Sequence, residues 1–112
     1  MADALVFEVK RGDTAPVFRA RCLDGDTPLD LTGASVRFLM RSYRGTEVLV
    51  AGPMTLDDQT TDPGWVRRPW AAGDLATAGT YRAEVEVTWG DGTRQTFPRN
   101  GYVNVVVTGD VG

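Results

Sequence analysis

Between Gly79 and Thr108 the chain alternates apolar and polar residues with period two, and this alternation limits the available folds more than any other feature. Tyr81, Ala83, Val85, Val87 and Trp89 interleave with Arg82, Glu84, Glu86 and Thr88. A β-strand sends successive side chains to opposite faces, so the pattern predicts a strand with one buried and one solvated face. Gly90-Asp91-Gly92 follows directly, a short connection rich in residues that tolerate positive φ. The chain is then expected to return through Thr93 to Phe97, to be stopped by Pro98, and to rise again over Tyr102 to Thr108 with Val103, Val105 and Val107 on one side. Three consecutive antiparallel strands are predicted here.

The same period recurs upstream. Leu5, Phe7 and Val9 alternate with Val6, Glu8 and Lys10, giving a first strand that ends at the polar turn Arg11-Gly12-Asp13-Thr14. Ala15 to Leu23 reads as a second strand with Phe18, Ala20 and Cys22 inward and Arg19 and Arg21 outward, Pro16 being tolerated near its start. Leu29-Asp30-Leu31 is a short extended piece, and after Thr32-Gly33 comes a strand carrying Val36, Phe38 and Met40 on one face. Val48 to Leu56 is another, weakened by Gly52-Pro53, which suggests a bulge or an edge position. Asp57 to Gly64 contains no apolar residue and reads as an exposed loop. In Trp65-Val66-Arg67-Arg68-Pro69-Trp70 the proline forbids a central place in a sheet, so a kinked ribbon at an edge is expected. Ala71 to Ala78 carries the only helical character, about one turn.

Seven or eight short strands with solvated faces predict antiparallel sheets packed as a sandwich, in an immunoglobulin-like arrangement. The length of 112 residues leaves room for a single such domain spanning 1–112. Tyr81 sits where a tyrosine corner places its hydroxyl, and Ala83 takes the position of the second cysteine of an antibody domain. Cys22 is the one cysteine, so no intramolecular disulfide is possible and its expected role is that of a small buried hydrophobe.

The residues that carry most enzyme chemistry are missing. There is no His, which removes the usual general base and the commonest metal ligand. No phosphate-cradling or dinucleotide fingerprint occurs. Asp24 and Asp26 resemble part of a calcium loop but lack its further oxygen ligands. Asp57, Asp58, Asp62 and Asp74 could serve glycosidase chemistry only as a pair in an enclosed cleft, which nothing in the sequence picks out. The expectation is a non-enzyme with no catalytic residue, no metal and no cofactor. The net charge of -3 argues against nucleic acid. No apolar stretch approaches the ~20 residues of a membrane span. Met1-Ala2-Asp3-Ala4 lacks the basic and apolar regions of a signal peptide, so synthesis and folding in a cytoplasm are expected. Binding remains open. Trp65 and Trp70 flank Arg67 and Arg68, residue types that dominate interface hot spots, and these four are the candidate contacts for a partner or a glycan. One of the two tryptophans is expected to plug the core between the sheets instead.

Three blocks occur together in order. Arg11-Gly12-Asp13-Thr14-Ala15-Pro16 resembles the opening of the N-terminal domain of the bacteriophage baseplate upper protein family. Leu29-Asp30-Leu31-Thr32-Gly33-Ala34-Ser35-Val36-Arg37-Phe38 resembles its second block. Ala78-Gly79-Thr80-Tyr81, Asp91-Gly92, Phe97-Pro98 and Gly101-Tyr102 are similar to its C-terminal block. The resemblance implies an immunoglobulin-like domain in a tailed phage or prophage virion. It would be a structural accessory of tail, baseplate, neck or capsid, assembled in the bacterial host cytoplasm. Its partners would be other virion proteins, met as a homo-oligomer or as repeated copies on a symmetric particle. The alternative, resting on Trp65 and Trp70, is a carbohydrate-binding module that attaches to a cell surface.

Overall fold

A computed structural model describes residues 5–98 and 102–109, the side chain of Leu5 excepted. Met1 to Ala4 and Gly101, which entered the sequence reading, lie outside the described residues. Within them the chain is all-β, an immunoglobulin-like sandwich without a helix. Its strands are β1 (Leu5–Lys10), β2 (Phe18–Arg21), β3 (Leu23–Asp24), β4 (Thr27–Pro28), β5 (Ser35–Ser42), β6 (Val48–Pro53), β7 (Thr55–Leu56), β8 (Trp65–Arg68), β9 (Gly79–Thr88), β10 (Arg94–Phe97) and β11 (Val103–Thr108). Eight of these, all but β3, β4 and β7, have four or more residues, which matches the expected number. Ala71 to Ala78 forms no helix; the Asp74 amide donates to the Ala71 carbonyl and closes a turn.

The large sheet runs β1-β11-β9-β5-β6, and the small one β2-β8-β7. The alternation read over β9 places Ala83, Val85 and Val87 in the core between them, with Val36, Phe38 and Met40 from β5 and Val103, Val105 and Val107 from β11. Phe18 and Val66 from the small sheet, with Cys22 just beyond β2, close the core. Trp89 packs half-buried at its margin, its indole N–H bonded to Gln95 Oε1 at 2.8 Å. Tyr81 makes the expected corner, its hydroxyl donating to the Thr77 carbonyl at 2.6 Å. Pairing is antiparallel except between β1 and β11, which run parallel.

Three details differ from the sequence reading. First, β10 and β11 do not lie side by side. Both pair with the same edge of β9, Phe97 opposite Val85 and Val103 opposite Ala83. The return is one strand broken at Pro98, not two successive strands. Second, the segment from Val48 to Leu56 changes sheets. β6 is the edge of the large sheet, β7 belongs to the small one, and the Met54 amide between them bonds the Val36 carbonyl at 2.8 Å. The bulge in β6 falls at Leu49, where the register with Met40 and Arg41 shifts, while Gly52 serves a different purpose. A Cβ there would lie 2.6 Å from Arg68, whose guanidinium passes over it. Third, β8 is the central strand of its sheet, paired with β2 and β7. Pro69 does not prevent this because it stands one residue beyond the strand end and removes no ladder donor.

Candidate functional site

The four residues singled out from the sequence are divided between two faces. Val66 is fully buried, so the period of β8 sends Trp65 and Arg67 outward and Arg68 inward. Arg68 spans the end of the small sheet, donating to the Pro53 carbonyl at 3.3 Å and pairing with Asp74 at 3.2 Å. That carboxylate also accepts the Ala71 amide at 2.8 Å, so Arg68 is a structural tie. Trp70 is 5% exposed and packs on Phe7, Phe18 and Phe38, its indole N–H donating to the Pro16 carbonyl at 3.0 Å. It is the tryptophan that plugs the core. Trp70 and Arg68 therefore offer no surface to a partner or glycan, and the paired-tryptophan platform does not exist.

Trp65 and Arg67 remain on the outer face of the small sheet, in a network of ions. The Arg19 guanidinium lies 4.1 Å above the Trp65 ring and Arg21 lies 5.5 Å from it. Arg19 also grips Asp57 Oδ2 through two nitrogens, at 2.9 and 2.8 Å. Arg67 Nε approaches Asp57 Oδ1 at 3.2 Å, but its N–H does not point along the contact, so Oδ1 gains charge without a hydrogen bond. The loop beneath is held by Gln59. Its Oε1 accepts the amides of Leu31 and Gly64 at 3.1 and 2.9 Å, and its Nε2 donates to the carbonyls of Asp57 and Trp65 at 2.8 and 3.3 Å. A loop read as merely exposed is thus fastened by one amide side chain.

Next to this network a concavity opens where the sandwich is left open. β10 has β9 on one side and no described strand on the other. Opposite this corner the small sheet ends in its own edge strand, β2. The two edges flank a cleft of about 800 Å³. Its walls are mainly apolar: Phe7, Phe18, Val85, Phe97 and Val103 face it, with Cys22 beside them. Burial pushes the Cys22 thiol up to about 11, so it is a neutral part of the wall. Arg19, Arg21 and Trp65 stand at the mouth. A smaller cavity of about 210 Å³ on the outer face of the large sheet is lined by Arg41, Arg82, Glu84 and Tyr102. There Arg82 lies 5.4 Å from the Tyr102 ring, and a hydrogen bond to Tyr43 holds the Tyr102 phenol above its ordinary pKa. Arg82 is bound to the Gly45 carbonyl at 3.0 Å, which ties it to the β5–β6 connection.

Among the described residues no group of three or more His, Cys, Asp or Glu is placed to hold a metal ion. Asp30 and Asp91 are held below the usual carboxylate range, each by the hydroxyl and then the amide of a threonine two residues on. These are turn contacts, since both carboxylates are exposed.

No family model matches the chain, and no curated protein matches it. Among solved structures it is similar to the crystal structure of CopC from Methylosinus trichosporium OB3b. That match has a TM-score of 0.54 at 15% identity and covers 98% of this chain and 89% of that one. The likeness points away from a structural role in a phage virion, and that expectation does not stand. The physical reason is in the blocks that suggested it. Gly12, Gly33 and Gly92 all have positive φ in turns, and Tyr81 makes the corner bond. Such residues serve the turns of a sandwich and carry no information about the particle or cell in which it works. What the chain shares with CopC across nearly its whole length is the β-sandwich fold.

Proposed function

We propose that this chain is a non-catalytic binding domain that takes an apolar ligand into the cleft between β2 and the β1, β10 and β11 corner. The observation that carries this reading is the cleft itself, about 800 Å³ of mainly apolar space in a small domain. Ligand sites are typically concave, apolar and of roughly 300–1,000 Å³, with a few polar groups to orient what enters. The cleft fits that description, with two arginines and a tryptophan at its mouth. Its described lining contains no carboxylate, and the chain has no His, which favours binding over catalysis.

The test uses N-phenyl-1-naphthylamine, a neutral probe that fluoresces on leaving water. The expected result is a saturable enhancement at one site per chain. Ala20→Phe, which fills the cleft wall on β2, is expected to abolish it while thermal unfolding stays cooperative. No enhancement, or enhancement unaffected by Ala20→Phe, contradicts the proposal.

A further inference from the structure

The mouth of the cleft has one sign of charge. Among its described lining residues the charged ones are Arg19 and Arg21, both cationic. Gly25 lines it as well, but its neighbours Asp24 and Asp26 are exposed and outside the lining. In a chain of net charge -3 this is a local arrangement, not a reflection of overall composition.

The two arginines are engaged differently. Arg19 is committed, with two nitrogens on Asp57 Oδ2 and a longer approach of 3.9 Å to Asp62. Among the described residues Arg21 has no carboxylate partner. Its Nε donates to the Pro63 carbonyl at 3.2 Å and its guanidinium carbon lies 5.5 Å from the Trp65 ring. These two contacts orient the guanidinium, and among the described residues its terminal nitrogens have no protein acceptor. A guanidinium oriented by an aromatic face and one carbonyl, with its Nη1–Nη2 edge free, is suited to a planar anion. Phe18 and Ala20 point to the other face of β2, so the cleft, which residues of both faces line, passes around the free edge of that strand between them and Arg21.

We infer that the cleft takes an amphipathic anion, with its apolar body against Phe7, Phe18 and Phe97 and its carboxylate or comparable head on Arg21. The inference rests on the cleft being a binding site and adds the charge of the ligand. An apolar body alone would gain nothing from Arg21, and a cationic head would be repelled by both arginines.

Displacement of N-phenyl-1-naphthylamine separates the two claims. Laurate, dodecanol and dodecylamine share a chain length and differ in head group, and each is titrated below its aggregation limit. Laurate is expected to displace the probe at a concentration about tenfold or more below that of dodecanol, the factor supplied by one charge-assisted hydrogen bond. Dodecylamine is expected to be the weakest. Arg21→Gln, an exposed substitution on a strand that keeps its packing, is expected to bring laurate to the dodecanol level. Equal displacement by laurate and dodecanol, or a laurate preference that survives Arg21→Gln, overturns the inference and leaves the cleft as an apolar site. Failure of the probe itself to bind overturns the cleft reading instead.

Discussion

Gln59 lies in a segment without a single apolar residue, yet its removal is expected to cost the domain a large part of its stability. The two amides bonded to its Oε1 belong to Leu31 and Gly64, both buried residues. In Gln59→Ala these donors lose their acceptor, and each orphaned buried amide costs about 1–3 kcal/mol. The carbonyls on the other side lose less, because Trp65 O also accepts the Asp57 amide at 3.0 Å. The expected loss is therefore about 2–4 kcal/mol, a shift of roughly 10 °C in Tm for a domain of this size. Urea unfolding followed by circular dichroism measures it, with a lower midpoint and an unchanged slope. Gln59→Glu sharpens the test. It keeps the acceptor for both amides but sets a carboxylate oxygen against the carbonyls of Asp57 and Trp65. It should be strongly destabilised at pH 7 and less so at pH 4, where the protonated acid can donate. A loss below about 0.5 kcal/mol in Gln59→Ala would refute the reasoning, since water would then be replacing the amide without penalty.

Two further outcomes follow from burial. Trp70→Ala is expected to cost about 3–5 kcal/mol because it empties the aromatic centre of the core, whereas Trp65→Ala should cost about 1 kcal/mol or less; urea midpoints of the two variants compare them directly. The Cys22 thiol is raised by burial from 9.0 to about 11, above its unfolded value. Its contribution to stability is thus complete below pH 9 and lost as pH rises through about 11, a difference of order 2 kcal/mol between wild type and Cys22→Ala. Equal pH dependence of the two proteins over that range would contradict it.

The sheet that was easiest to read was the one whose strands have one wet face. β5 and β9 alternate over most of their lengths, which makes inward Val36, Phe38, Ala83 and Val85 legible, as is the corner at Tyr81. The change of sheet at Met54 was not, because the chain stays extended while it crosses and period two gives no sign of which sheet it pairs with. The edge position that Pro69 implies for β8 fails because the strand ends at Arg68, one residue before the proline. A signal for the two tryptophans was present: Trp65 and Trp70 are an odd number of residues apart, which in an extended segment puts them on opposite faces. The hub at Gln59 and the cleft were invisible for a common reason. Both depend on what the rest of the chain brings near, the first on the amide of Leu31 and the second on β10 having no second partner among the described strands.

Methyl-detected NMR of the protein titrated with 1-decanol tests the cleft most directly. The expected shifts are concentrated on Ala20, Leu23, Val85 and Val103, which line the cleft, with Val48 and Leu49 on the opposite edge of the large sheet unmoved. Shifts centred on exposed Val48 and Leu49, or spread evenly over the surface, would contradict the proposal that the opening between β2 and β10 is where this protein binds its ligand.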